Sequence, residues 1–135
     1  MKVPHKALVL LADGTRCVVM RNDGQPFEPK LAKVSELDLE LTNFSAGIRH
    51  QDPAGGRNGS TDLDELAHGA AIAEWLNKTT LNGAAEPVII AADPKTLGQI
   101  RQHCGQQVQQ RIVGELAKDL INSPIPEIER ALVNG

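Results

Sequence analysis

Tyrosine is absent from this chain, and the only aromatic rings besides histidine are Phe27, Phe44 and Trp75. A surface that binds single-stranded nucleic acid by stacking needs several such rings, so this poverty argues against a stacking platform. Charge of one sign is also missing: 14 basic residues face 17 acidic ones. That balance speaks against a surface built throughout to hold DNA, RNA or an anionic membrane, and leaves room only for a local basic patch. No apolar run approaches the length of a membrane span. The longest near the start, Ala7 to Ala12, is too short for a signal sequence as well, so a cytoplasmic protein is expected. Cysteine is scarce. Cys17 and Cys104 stand far apart with no paired spacing, which in a cytosolic chain favours two buried thiols over a disulfide or a metal site.

What is present is a chain of 135 residues, the size of one domain with one substantial core. Residues Pro87 to Leu120 organise it. Val88-Ile89-Ile90-Ala91-Ala92 reads as a strand covered on both faces, and Asp93-Pro94 stops it and opens a helix, with Asp as cap and Pro in the first turn. Leu97, Ile100 and Cys104 recur at helical spacing, Gly105 is placed to end the helix, and Ile112-Val113 with Leu116 reads as the next strand.

Upstream, Ala7 to Ala12 is a second buried strand. Asp13-Gly14 turns it into Cys17-Val18-Val19-Met20, and Asn22-Asp23-Gly24 marks another turn. Between Val34 and Leu41 the leucines at 37, 39 and 41 alternate with Asp38 and Glu40, which predicts an edge strand wetted on one side. Asn43 to Thr61 has no sustained period and is read as a long loop. Thr61 to Leu81 is read as a helix with Leu66, Ala70, Ala73 and Leu76 inward and Trp75 flanking them, ended by Asn82-Gly83. Ser123 and Pro124 open a last short helix carrying Ile128 and Leu132. The expected fold is α/β, a single domain over 1–135 with the order β-β-β-α-β-α-β-α and a five-stranded mixed sheet whose first three strands are antiparallel.

Ala92-Asp93-Pro94-Lys95-Thr96-Leu97-Gly98-Gln99-Ile100-Arg101, with Val108, Leu116-Ala117-Lys118-Asp119-Leu120 and Pro126-Glu127-Ile128, resembles the C-terminal half of the bacterial host attachment family, proteins described as required for attachment to host cells. Leu10-Leu11-Ala12-Asp13-Gly14-Thr15-Arg16 is similar to that family's first strand and turn. The family is in turn similar to the middle domain of archaeal and eukaryotic class 1 peptide release factors. That likeness implies a ribonuclease H-like sheet of five strands. In those release factors a Gly-Gly-Gln tip before the long helix promotes peptidyl-tRNA hydrolysis at the ribosome. Here the corresponding stretch is Ala54-Gly55-Gly56-Arg57-Asn58-Gly59-Ser60, in which Arg57 stands where the glutamine would be.

Arg49, His50 and Arg57 are basic groups on a segment where Gly55-Gly56 would let backbone approach a phosphate closely, so Arg49, His50, Gly55, Gly56 and Arg57 form the candidate binding loop, with the ribosome or RNA as partner. The same composition is also that of any solvated loop. Asp13 and Asp93 each follow a buried strand, and a ribonuclease H-like sheet could bring them together as a divalent-metal site for phosphodiester hydrolysis, but a turn Asp before Gly and a helix-cap Asp before Pro explain the same residues without any metal, and that structural reading is preferred. His5, His50, His68 and His103 form no zinc spacing, and nucleophile-elbow and nucleotide-binding fingerprints are absent, so no cofactor is expected. Two functions remain open. One is a non-catalytic interaction protein affecting host attachment indirectly. The other is an enzyme, either a divergent peptidyl-tRNA hydrolysing factor or a metal-dependent nuclease using Asp13 and Asp93. The partner and the oligomeric state are not legible from the chain.

Overall fold

The run Leu8–Ala12 (β1) is apolar at every position because it lies in the middle of a sheet with both faces covered. The computed structural model describes residues 1–37 and 56–135, and of residues 56–66 the backbone alone. Cys17–Asn22 (β2) folds back antiparallel to β1, pairing Ala12 with Cys17 and Leu8 with Arg21. Leu31–Glu36 (β3) is antiparallel to β2 with an irregularity between Val19 and Met20. On the other side Val88–Ala92 (β4) runs parallel to β1, Leu8 opposite Val88 and Ala12 opposite Ala92, and Ile112–Leu116 (β5) runs parallel to β4. The sheet order is β3-β2-β1-β4-β5, which puts β3 at an edge. This is the mixed five-stranded α/β sheet implied by the residues and by the release-factor resemblance.

Strand pleating sends alternate residues to opposite faces, and each face builds its own core. Leu10, Ala12, Val19, Ile90 and Ala92 pack under a long helix, Gly56–Leu81 (α1), through Ile72, Ala73 and Leu76, and under Pro94–His103 (α2) through Leu97 and Ile100. Val9, Leu11, Met20, Ile89 and Ala91 meet Ile128 and Leu132 on the opposite face. Those two residues belong to the last helix, Ile125–Asn134. The Met1 amino group donates to the carbonyls of Leu132, Val133 and Gly135 at 2.9, 2.6 and 2.9 Å, closing the end of that helix.

Four boundaries differ from the sequence expectation. β3 begins at Leu31 because Asn22 ties the turn short: its Oδ1 accepts from the amides of Gly24 and Lys30 at 2.8 and 2.9 Å, returning the chain to the sheet at once. Leu37 packs against the α1-side core, while Leu39 and Leu41 lie outside the described residues. α1 starts at Gly56, so Gly56 to Ser60 are helical and not part of a loop. Once packing holds the later turns, each residue added upstream needs only propagation, which weak helix formers such as glycine and asparagine can still achieve. Gly105 does not end α2 in a left-handed conformation. Its φ of −71° is ordinary, and it caps a further short helix, Gln106–Arg111 (α3), whose buried Val108 is too little apolar signal to read. Pro124, not Ser123, occupies the cap of the last helix (α4). The end of α1 is as expected: Gly83 takes φ +104°, a value that favours glycine, and Ala84 N–H donates back to the Thr79 carbonyl at 2.9 Å.

Candidate functional site

β1 and β4 are adjacent and parallel, yet the chain leaves β1 toward β2 on one side and leaves β4 toward β5 on the other. In open α/β sheets the crevice beyond the strand ends at such a divergence is where ligands sit. Asp13 and Asp93 are the residues immediately after the paired Ala12 and Ala92, so the topology brings these two together as the sequence suggested.

Each carboxylate has local work. Asp13 Oδ1 accepts from Thr15 N–H at 2.8 Å, Arg16 N–H at 2.7 Å and Thr15 Oγ1 at 3.2 Å, pinning the β1–β2 turn. Partial burial pushes its pKa upward, but the donors from Thr15 and Arg16 and the nearby His68 outweigh that and hold it below the usual carboxylate value. Asp93 Oδ2 accepts from Thr96 N–H at 3.1 Å and caps α2, while its Oδ1 is buried without a partner. His68, on α1, lies over this edge with 2 % of its surface exposed. Its Nε2 donates to the Arg16 carbonyl at 3.1 Å, which leaves Nδ1 buried and unpartnered. Arg16 reaches outward, with Nη2 2.7 Å from Glu36 Oε1 and Nη1 3.3 Å from Asn122 Oδ1. Beneath the turn, Cys17 is a free thiol pushed up to about 12 by burial and by Asp13, and it is inert at neutral pH.

The crevice is a hydrogen-bonded corner. Among the described residues no three His, Cys, Asp or Glu side chains are grouped to hold a metal ion, so the described residues give the nuclease reading no third ligand beside Asp13 and Asp93. A helical His68 is ordinarily expected to be a surface or half-buried imidazole, and the structure buries it instead; its helical spacing with Ile72 and Leu76, both of which face the core, was the available signal.

The loop residues fare differently. Arg49, His50 and Gly55 lie outside the described residues. Gly56 and Arg57 are the first two residues of α1, and for them the backbone alone is described. α1 runs from the strand-end edge at His68 toward the strand starts, where Trp75 and Thr79 lie near Leu8. Residues 56–67 make up about 18 Å of helix at 1.5 Å per residue before His68, with Gly56 and Arg57 as its first two residues.

A family model described as bacterial archaeo-eukaryotic release factor family 12 matches residues 6–132. The chain belongs to that family. Its release-factor relationship is thereby established. An uncharacterized protein of Rickettsia prowazekii (strain Madrid E) is 32 % identical over 77 residues, covering 53 % of this chain and 51 % of the relative. The match thus spans about half the length of each. Among the described residues no helix is long and apolar enough to cross a membrane.

Proposed function

We propose that this member of the release factor-like family is a non-catalytic interaction protein that contacts the ribosome or its RNA through residues 49–60 and works in the cytoplasm as a single domain. The observation that carries this reading is the family match over 6–132, together with Gly56-Arg57 opening the long helix next to the stretch where the release-factor resemblance puts the Gly-Gly-Gln tip. Arginine cannot reproduce the glutamine amide, which offers both a donor and an acceptor, but it supplies a permanent positive charge suited to phosphate. The tip thus keeps the means of contact and lacks the side chain associated with peptide release. Any influence on host attachment then follows indirectly, from a partner in translation.

Ribosome co-sedimentation tests this. The protein should pellet with ribosomes at low salt and be released at high salt, and Arg49→Ala with Arg57→Ala should weaken the salt-sensitive part of binding about tenfold or more. A protein that stays in the supernatant at both salt concentrations, or a double variant that pellets like the wild type, would overturn the proposal.

A further inference from the structure

Among the described residues α1 and α2 cover the middle of one sheet face and leave part of β2 and β3 beside α1 open. A groove of about 490 Å³ results, with Leu8 and Val19 on its floor, Trp75 on the α1 wall and Val34 of the edge strand opposite. Val34 is 49 % exposed, a large fraction for a valine facing a groove. The volume falls in the range that holds small ligands, and an apolar body with a few polar groups at its mouth is their usual setting.

The charges at the mouth are not all matched. Arg21 lines the groove and gives its Nε to Asp23 Oδ1 at 2.8 Å, and Nη1 and Nη2 make no hydrogen bond among the described residues. Lys6, also lining it, lies 3.9 Å from that same carboxylate oxygen, so two cations share one anion. The other acid at the groove, Glu86, has its Oε2 4.0 Å from Nη2 of Arg111, a cation whose side chain is 7 % exposed. The indole N–H of Trp75 has no acceptor among the described residues.

We propose that this groove binds a small carboxylic acid with an apolar, ring-sized body, the body lying on Leu8, Val19, Val34 and Trp75 and the carboxylate paired with Nη1 and Nη2 of Arg21. A guanidinium offers a carboxylate two parallel hydrogen bonds, which gives the anion a fixed place at the mouth.

Trp75 is the chain's one tryptophan, so a single indole signal in a ¹⁵N–¹H spectrum reports on the groove. The probes are 3-phenylpropionate and its uncharged analogue 3-phenylpropanol. The acid should shift the Trp75 indole signal and the amides of Val19 and Val34 saturably, and bind at least fivefold more tightly than the alcohol. Arg21→Gln should remove that preference while leaving the alcohol's affinity unchanged. Val34→Trp, which fills the groove from an exposed strand position, should abolish binding of both. The proposal fails if the acid gives no saturable shift, if acid and alcohol bind equally to the wild type, or if the preference survives in Arg21→Gln.

Discussion

At the scale of single residues, the side chain that does most for the local structure is Asn22. It is fully buried, and its amide serves five backbone groups: Nδ2 donates to the carbonyls of Val3, Pro4 and Gln25 at 2.8, 3.3 and 3.3 Å, and Oδ1 accepts from the amides of Gly24 and Lys30. No other side chain of that size presents both donors and an acceptor, so Asn22→Ala strands several buried polar groups at once. Unpaired buried groups cost ~1–3 kcal/mol each, and a net loss of about 3 kcal/mol in urea unfolding is expected. Asp13 gives the pH dependence. A carboxyl held below its unfolded value stabilises the fold above the unfolded pKa, about 3.9, and that contribution is lost as pH falls through the lower folded value. Asp13→Asn removes the titration, so the wild type should be the more stable of the two near neutrality. The gap between their urea midpoints should close as the pH is taken below about 3.9. A gap that widens on acidification would contradict the assigned direction.

At the scale of elements, the crossing of α1 and α2 depends on Gly69. A Cβ built there would stand 2.6 Å from Gln99 Cβ, an atom fixed to the backbone of the facing helix. Glycine inside a helix costs ~1 kcal/mol against alanine, so Gly69→Ala would stabilise an isolated α1. In the folded protein the two helices must separate or shift, and overpacking of this kind typically costs ~1–3 kcal/mol. A net loss of thermal stability is the expected outcome, and an unchanged or raised melting temperature would show that the helices yield freely. Elements with strong punctuation were the legible ones. Asp93-Pro94 marked α2 to the residue, and Asn82-Gly83 marked the end of α1. The elements misplaced in the sequence reading were those whose limits are set from a distance. β3 begins where Asn22 and Glu129 hold it, the latter accepting from Leu31 N–H at 2.8 Å across a separation no local pattern reveals. α3 is anchored by Arg111, whose Nε and Nη1 donate to the Glu86 carbonyl at 3.0 Å and to Thr80 Oγ1 at 2.6 Å, and nothing in QQVQQR announces those partners.

At the scale of the whole molecule, the element order and the antiparallel opening followed from two kinds of signal, continuous apolar runs for the buried strands β1 and β4 and turn residues that bound β2 to β1, while the pairing of β4 with β1 needed the structure. The candidate site was legible only in part. The turn and cap roles of Asp13 and Asp93 were legible from the Gly and Pro that follow them, but their juxtaposition depends on the parallel pairing of β1 with β4, which the sequence suggested only through the ribonuclease H-like resemblance. The groove beside Trp75 was not foreseeable, because it arises from how far two helices extend across a five-stranded face.

The parallel contact between Leu8–Ala12 and Val88–Ala92 joins residues eighty positions apart. During synthesis the first hairpin can close as soon as it leaves the exit tunnel, yet the flank of its first strand must wait for most of the chain to follow. Throughout that interval a fully apolar ribbon stands with one side open to whatever else is nascent nearby. Newly made copies should therefore be most vulnerable to clumping before residue 92 has emerged, and slower translation of the intervening stretch would lengthen the hazard.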